Sequence, residues 1–194
     1  ESILGDTTDA AHYASAPTIA DGSTTANEIG GGVCQLASTL YYAGLSANMT
    51  SVERYAHSIP PDYIPLGFDA TLEYGSMDLK MRNDAETPIY IEALTDGTSV
   101  TVRCYGNPLS DDARIELISE TQEIIAPGEP EIMLTSVLSA GDEYTQREAR
   151  EGYEVLTERV YYQKNVKTDT EEISYSRYEP VNAIIIRGAV QNPK

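Results

Sequence analysis

The chain has no tryptophan, one phenylalanine, two cysteines and two histidines among its 194 residues. With Trp and Phe so scarce, the aromatic surface falls to 14 tyrosines, which suit a half-exposed sheet or a surface that handles polar ligands. Two cysteines are too few for a disulfide framework. No C-x-x-C or H-x-x-x-H spacing occurs, so neither a metal site nor a resident cofactor is expected. The triplet Gly30–Gly32 lacks the following Lys-Ser/Thr of a phosphate-binding P-loop. There is no G-x-S-x-G elbow, which disfavours a serine hydrolase. Cations are few: 13 Lys and Arg stand against 31 Asp and Glu, a net charge of −18. That balance argues against nucleic acid, whose binding needs clustered cations, and against an anionic membrane surface. No stretch approaches the roughly 18 apolar residues of a bilayer span. The N-terminus lacks the charged-then-apolar pattern of a secretion signal, and Glu1 reads as an arbitrary start from which a signal or anchor has room to be missing.

What is present centres on Glu28 to Tyr42, E-I-G-G-G-V-C-Q-L-A-S-T-L-Y-Y. Glycine-rich backbone runs into Cys34, and Leu36, Leu40 and Ala43 then recur at i, i+4 and i+7, one face of a helix. The spacing predicts a helix from about Cys34 to Ala47 with Cys34 at its N-terminus. Free N–H groups there stabilise negative charge and lower a thiol pKa. Two readings of Cys34 stay open on chemistry alone: a thiolate nucleophile, or a buried, inert cysteine beside a tight turn. Cys104 lies in S-V-T-V-R-C-Y, where Val100, Val102 and Cys104 share a strand face; it reads as a small core residue, with a Cys34–Cys104 disulfide as the other possibility.

The chain is long enough for one large domain or two small ones with a real core. Residues 1 to 29 read as a loop with a short helix around Thr8 to Ser15 and a turn at Asp21-Gly22. A short strand Val52 to Tyr55 leads to Ala56-His57-Ser58. The segment from Ile59 to Phe68, with Pro60, Pro61, Pro65 and Gly67, reads as a rigid loop. Strand patterns follow at Ala70–Tyr74, Leu79–Arg82, Ile89–Leu94 and Ser99–Tyr105, the last two joined by a Thr95–Thr98 hairpin turn. The expectation is an α+β domain over residues 1–107, one main helix with an antiparallel meander. Residues 108–194 read as a small all-β module with strands at Ala113–Ser119, Ile132–Leu138, Glu154–Tyr162, Glu171–Ser174 and Ala183–Arg187. The first 107 residues hold 14 acids and 4 bases, so cations are scarcest where the site is expected.

At G-G-G-V-C-Q-L-A-S-T-L-Y the chain resembles the VanW family of bacterial cell-surface proteins. The resemblance continues through V-E-R-Y-A-H-S-I-P, Y-I-P-L-G-F-D-A-T, Y-G-S-M-D-L-K-M-R-N and T-P-I-Y-I-E-A, covering about residues 3 to 106. The family's opening strand is missing, which implies a truncated N-terminus, and His12 replaces the glycine before Tyr13. Cys104 stands where members carry an apolar residue. The tail resembles the G-five domain of secreted cell-wall proteins at Glu151–Val155, Arg159–Tyr161, Ile173-Ser174, Tyr178–Pro180 and Ile184–Gly188, with Gln163-Lys164-Asn165 near the place of the usual Asn-Gly-Lys turn.

The resemblance implies an extracytoplasmic protein at the bacterial cell surface or wall, acting on peptidoglycan stem peptides, with a β module that either positions the protein or binds glycan. Members have been linked to L,D-transpeptidation, in which a cysteine attacks a stem tetrapeptide, expels its terminal D-Ala and passes the acyl group to another stem's amine. Such chemistry needs a nucleophile, a base, an oxyanion site and groups that hold the donor. Cys34 matches the family cysteine, and His57 matches the family histidine and is the candidate base. Asp69 is the candidate to orient His57. Backbone N–H groups from Gly32 to Cys34, beside Gly31, are candidate oxyanion donors, with Gln35 as a side-chain donor. Arg54 and Lys80 are candidate holders of a substrate carboxylate, and Ser58, Tyr63, Asp78 and Asn83 are candidate pocket residues. Two other readings stand beside this one: a non-catalytic wall-binding or scaffold protein, and a cysteine amidase or carboxypeptidase on the same stems.

Overall fold

The computed structural model describes residues 4–20 and 23–189, and its described elements are one helix and mostly antiparallel strands. Strands β1 (Ser15–Ala20) and β2 (Ser23–Ile29) form an antiparallel hairpin. This corrects the loop and the short helix expected around Thr8 to Ser15: among the described residues before β1 there are only turns, with the Asp9 carbonyl accepting the His12 and Tyr13 N–H groups. The small Thr, Ser and Ala residues of β1 and β2 carry no apolar alternation, so backbone pairing makes this hairpin without a pattern to read. The expected turn at Asp21-Gly22 lies outside the described residues.

Helix α1 spans Val33–Ser46. It follows Gly32, whose φ of 89° suits glycine, and no side chain caps its N-terminus. Its core-facing residues Ala37, Tyr41, Gly44 and Leu45 recur at helical spacing. A Cβ on Gly44 would lie 2.5 Å from the Met81 sulfur, so glycine there permits the close approach of the neighbouring strand. The helix closes through Asn48, whose positive φ of 62° and N–H bond to Leu45 O end it sharply.

Strand β3 (Thr50–Glu53) pairs antiparallel with β4 (Lys80–Arg82), and β5 (Tyr90–Thr95) with β6 (Val100–Tyr105). The expected meander is therefore two separate ribbons, and Ala70–Tyr74 contributes no strand beyond a Glu73–Met77 bridge. Residues 70–72 spend polar groups elsewhere: the Thr71 N–H goes to Tyr55 O, and the Ala70 and Leu72 N–H groups go to side chains of α1. The expected alternation in β6 holds, with Val100, Val102 and Cys104 on its half-buried face. Both cysteines are free thiols.

Further on, β7 (Ala113–Ile125), β8 (Glu131–Thr135), β9 (Glu143–Arg147), β10 (Gly152–Gln163), β11 (Val166–Tyr178) and β12 (Ile184–Gly188) build two three-stranded sheets. One has the order β11-β10-β7; in the other, β12 lies between β8, parallel to it, and β9. Lys164 and Asn165, both at positive φ, make the tight β10–β11 turn between paired Gln163 and Val166.

Packing crosses position 107. Leu117 of β7 and Ile173 of β11 pack against the cluster of Ala37, Tyr41, Leu45, Phe68 and Ala70. Arg159 of β10, 2% exposed, donates to Met49 O (2.7 Å) and Asn48 Oδ1 (2.9 Å) at the end of α1, where a cation complements the helix dipole. Ser119 Oγ donates to Leu66 O at 2.6 Å, and Arg150 to Pro60 O at 2.8 Å.

Candidate active site

Cys34 is the second residue of α1, half-buried, at the end of the helix where first-turn N–H groups lack intrahelical partners. The Val33 N–H is taken by Gly30 O and the Leu36 N–H by Gly32 O, which leaves the Cys34 and Gln35 N–H groups as the candidate oxyanion donors, one residue later than the expected Gly32-to-Cys34 set. Gly31 serves packing: a Cβ there would meet Ala16 O of β1 at 2.4 Å. Gln35 itself is exposed. The Leu72 N–H donates to the Cys34 sulfur at 3.4 Å.

His57 stands beside the thiol on the segment that continues from β3. Its Nδ1 is 2.7 Å from Asp69 Oδ2, which also accepts the His57 backbone N–H at 2.7 Å. That pair of bonds fixes the ring and leaves Nε2 free of Asp69, with the Tyr63 hydroxyl 3.3 Å from it and the Cys34 thiol near enough to perturb the imidazole. Burial pushes the Cys34 thiol up, but hydrogen bonding to His57 and Leu72 and the imidazolium charge outweigh it, and the thiol lies below its ordinary value. Burial pushes His57 down, yet Asp69 and Cys34 together raise it from 6.5 to about 9. Asp69 is fully buried; burial alone would raise it, and its bonds to His57, the Arg54 charge and Tyr178 hold it below the ordinary carboxylate value. These directions favour charge separation between thiol and imidazole, with a carboxylate behind the imidazole, an arrangement that can activate a cysteine for acyl transfer.

Three residues missed at the sequence level complete the cluster. Ser38 lies one helical turn after Cys34; its Oγ donates to Cys34 O at 2.7 Å, accepts the Ala70 N–H at 2.9 Å and lies 3.4 Å from the Tyr63 hydroxyl. Its i+4 spacing from Cys34 was the available signal. Tyr178 and Ser176 come from β11, more than a hundred residues away; Tyr178 belongs to the G-five-like Tyr178–Pro180 segment, and nothing local ties either residue to the site. Tyr178 donates to Asp69 Oδ1 and accepts the Gly67 N–H at 2.7 Å. Gly67 itself has φ 85°, and a Cβ there would strike Thr157 Oγ1 at 2.1 Å.

Arg54 lies behind Asp69 rather than in front of the thiol. Its side chain is 6% exposed and donates to Asp69 Oδ1 (2.8 Å), Asp69 O (2.6 Å), Ser176 Oγ (2.7 Å) and Gly67 O (3.3 Å). Those bonds use the donors expected for a substrate carboxylate. Lys80 pairs at the surface with Glu53 and, at 3.9 Å, Asp78, and has no described contact with the cluster. Asp78 Oδ1 accepts the Leu79 N–H, and Asn83 bridges Thr87 O and the Ala85 N–H, so both shape turns. Ser58 is exposed, its carbonyl bound by the Glu179 N–H. A cleft of about 290 Å³ between Ser51–Ala56 and Ile173–Arg177 is lined by Arg54 and Ser176 but by neither Cys34 nor His57. Among the described residues, no group of His, Cys, Asp and Glu could hold a metal ion, and no helix is long and apolar enough to cross a membrane.

A family model described as VanW like protein matches residues 1–105. The chain is 36% identical over 105 residues, 54% of its length, to the uncharacterized protein YoaR of Bacillus subtilis (strain 168). It is 31% identical over 93 residues, 45% of its length, to the Vancomycin B-type resistance protein VanW of Enterococcus faecalis (strain ATCC 700802 / V583). The chain spans about a third of each relative, 34% in both cases. Two solved structures are also similar. An IgA1 protease G5 domain is 20% identical, covering 42% of this chain and 98% of that one at a TM-score of 0.28. The HP0197-G5 crystal structure is 21% identical, covering 39% and 95% at a TM-score of 0.21. At such scores neither bears on what this chain does.

Proposed function

The chain belongs to the VanW family, and from that premise we propose that it is a cell-wall-associated cysteine acyltransferase acting on peptidoglycan stem peptides. The observation that carries this reading is Cys34 at an uncapped helix N-terminus beside His57, whose Nδ1 is held by the buried Asp69 carboxylate at 2.7 Å. In the first step the Cys34 thiolate attacks the carbonyl carbon of the amide that joins the stem to its terminal D-Ala. A carbon–sulfur bond forms, and negative charge moves to the oxygen, facing the Cys34 and Gln35 N–H groups. The carbon–nitrogen bond then breaks, and the leaving amine takes the proton from His57 Nε2. A second stem's amine attacks the thioester while neutral His57 takes its proton, and thiolate leaves. Asp69 keeps Nδ1–H bonded throughout, so Nε2 is the atom that exchanges the proton. Residues 1–107 carry the nucleophile and base, and the β module of residues 108–194, G-five-like in sequence, attaches the protein to the wall. The name of the Enterococcus relative ties that protein to vancomycin resistance, which suits a wall substrate.

The test is acylation. Protein incubated with a disaccharide-tetrapeptide or a carbapenem is weighed intact beside Cys34→Ala. One adduct per chain, seen in wild type alone, is the expected result, and product analysis then separates cross-linking from hydrolysis to a shortened stem. A folded, reduced protein that forms no adduct overturns the enzymatic reading in favour of a binding or scaffold role.

A further inference from the structure

Resting on that reading of the site, we infer that Tyr178 is a positioning residue and that strand β11 completes the active centre from the far half of the chain. The Asp69 carboxylate is fully buried and accepts four hydrogen bonds. His57 supplies two, to Oδ2; Arg54 Nη2 and the Tyr178 hydroxyl supply the other two, to Oδ1. Two oxygens accept about four bonds in all, so the carboxylate is saturated.

Both bonds to Oδ1 are anchored on β11. Tyr178 is 0% exposed, and its oxygen is pinned from the other side by the Gly67 N–H, so the hydroxyl proton has Asp69 as its acceptor. Arg54 is held by Ser176 Oγ, two residues earlier on the same strand. The alternation of a strand puts residues i and i+2 on one face, and here that face, buried at Ser176 and Tyr178, is laid against the carboxylate. Without β11 the carboxylate loses the Tyr178 bond, and Arg54 loses one of its anchors. Asp69 then keeps only the His57 bonds and a less firmly held Arg54, so the carboxylate and the His57 ring it orients lose rigidity. The site is thus a product of both halves, though Cys34, His57 and Asp69 all precede position 107.

The experiment follows Cys34 alkylation by iodoacetamide against pH in the full chain. A Cys104→Ala background leaves one thiol to report. Wild type is compared with Tyr178→Phe, which keeps the ring and removes the hydroxyl. A loosened His57 and a less neutralised Asp69 both disfavour the thiolate, so the acidic limb moves to higher pH. Alkylation on the acidic limb is expected to fall roughly tenfold, the scale of one hydrogen bond to a charged group. A tyrosine that only packs would lower the thermal midpoint and leave the profile in place. Ser176→Ala, which removes only the Arg54 anchor, should shift the limb the same way by about threefold, and it decides alone if Tyr178→Phe does not fold.

An activated wild-type thiol with superimposable variant profiles overturns the positioning role and leaves the nucleophile assignment intact. Ordinary titration of Cys34 near about 8.5 in wild type overturns both. A shifted Tyr178→Phe profile in a protein that does not acylate on stem peptides supports the positioning role and overturns only the substrate.

Discussion

Replacing Asp69 by Asn tests the electrostatic logic of the site most directly. The substitution conserves volume at a position with no exposure, but its amide meets donors on both sides. Oδ1 faces Arg54 and Tyr178, and Oδ2 faces the His57 backbone N–H and Nδ1. Turned toward Arg54, the NH2 meets a guanidinium that cannot accept. Turned toward His57, it opposes a fixed backbone N–H and drives Nδ1 to become the acceptor, which moves the imidazole proton to Nε2. The neutral imidazole is then in the wrong tautomer to take a proton from the thiol. The His57 rise from 6.5 to about 9 represents roughly 3 kcal/mol of preference for imidazolium. Asp69 supplies its largest favourable contribution. Losing most of it should slow Cys34 acylation at pH 6 to 7 by about two orders of magnitude. It should also cost on the order of 3 kcal/mol of stability, because buried Arg54 keeps its charge without its carboxylate. The assay is the acylation rate by intact mass, with the thermal midpoint as fold control. A folded Asp69→Asn protein that acylates within about threefold of wild type would refute the account of how the thiol is activated.

The pH profile carries a second prediction with a definite sign. The reactive pair exists above the lowered Cys34 pKa and below that of His57, about 9. Acylation by an amide should therefore rise from acid, level off and fall above about 9, where the imidazole no longer has a proton for the leaving amine. Alkylation by iodoacetamide, which needs only thiolate, should show no such fall; parallel declines in the two reactions would remove His57 from the acid role. Third, Arg159→Met should lower stability by roughly 3 kcal/mol in urea unfolding, because it unpairs Met49 O and leaves Asn48 Oδ1 with the Tyr161 hydroxyl as its one remaining donor. Arg159→Lys should recover less than half of that, since one ammonium lacks the fork that spans both acceptors. A loss in Arg159→Met under about 0.5 kcal/mol would mean that the halves do not depend on this contact.

Much of the local structure is legible in the residues themselves. A glycine run into a 3.6-residue apolar period specifies where α1 begins, because positive φ and free N–H groups are properties of the segment alone. Alternating Val100, Val102 and Cys104 mark β6 for the same reason, and the β10 and β11 runs flank a turn whose Lys164 and Asn165 take positive φ. The resemblance carried by short motifs singles out Cys34 and His57, and the logic of a triad adds Asp69, whose carboxylate lies 2.7 Å from His57 Nδ1. The β1–β2 hairpin escaped because small polar residues pair through backbone groups and leave no side-chain signature.

What only the tertiary structure decides is where each charge is spent. A scarce cation in an acidic segment looks available for a substrate, yet Arg54 is consumed by Asp69, Ser176 and Gly67. Tyr178 lies beyond the strand expected at Glu171–Ser174 and reads only as part of a G-five-like segment, until β11 lays it against a carboxylate 109 positions earlier. Periodicity and turn chemistry act over a few residues, so a sequence states them openly. A buried carboxylate must collect its donors from whatever the folded chain packs against it, and that set is fixed only when the strands meet.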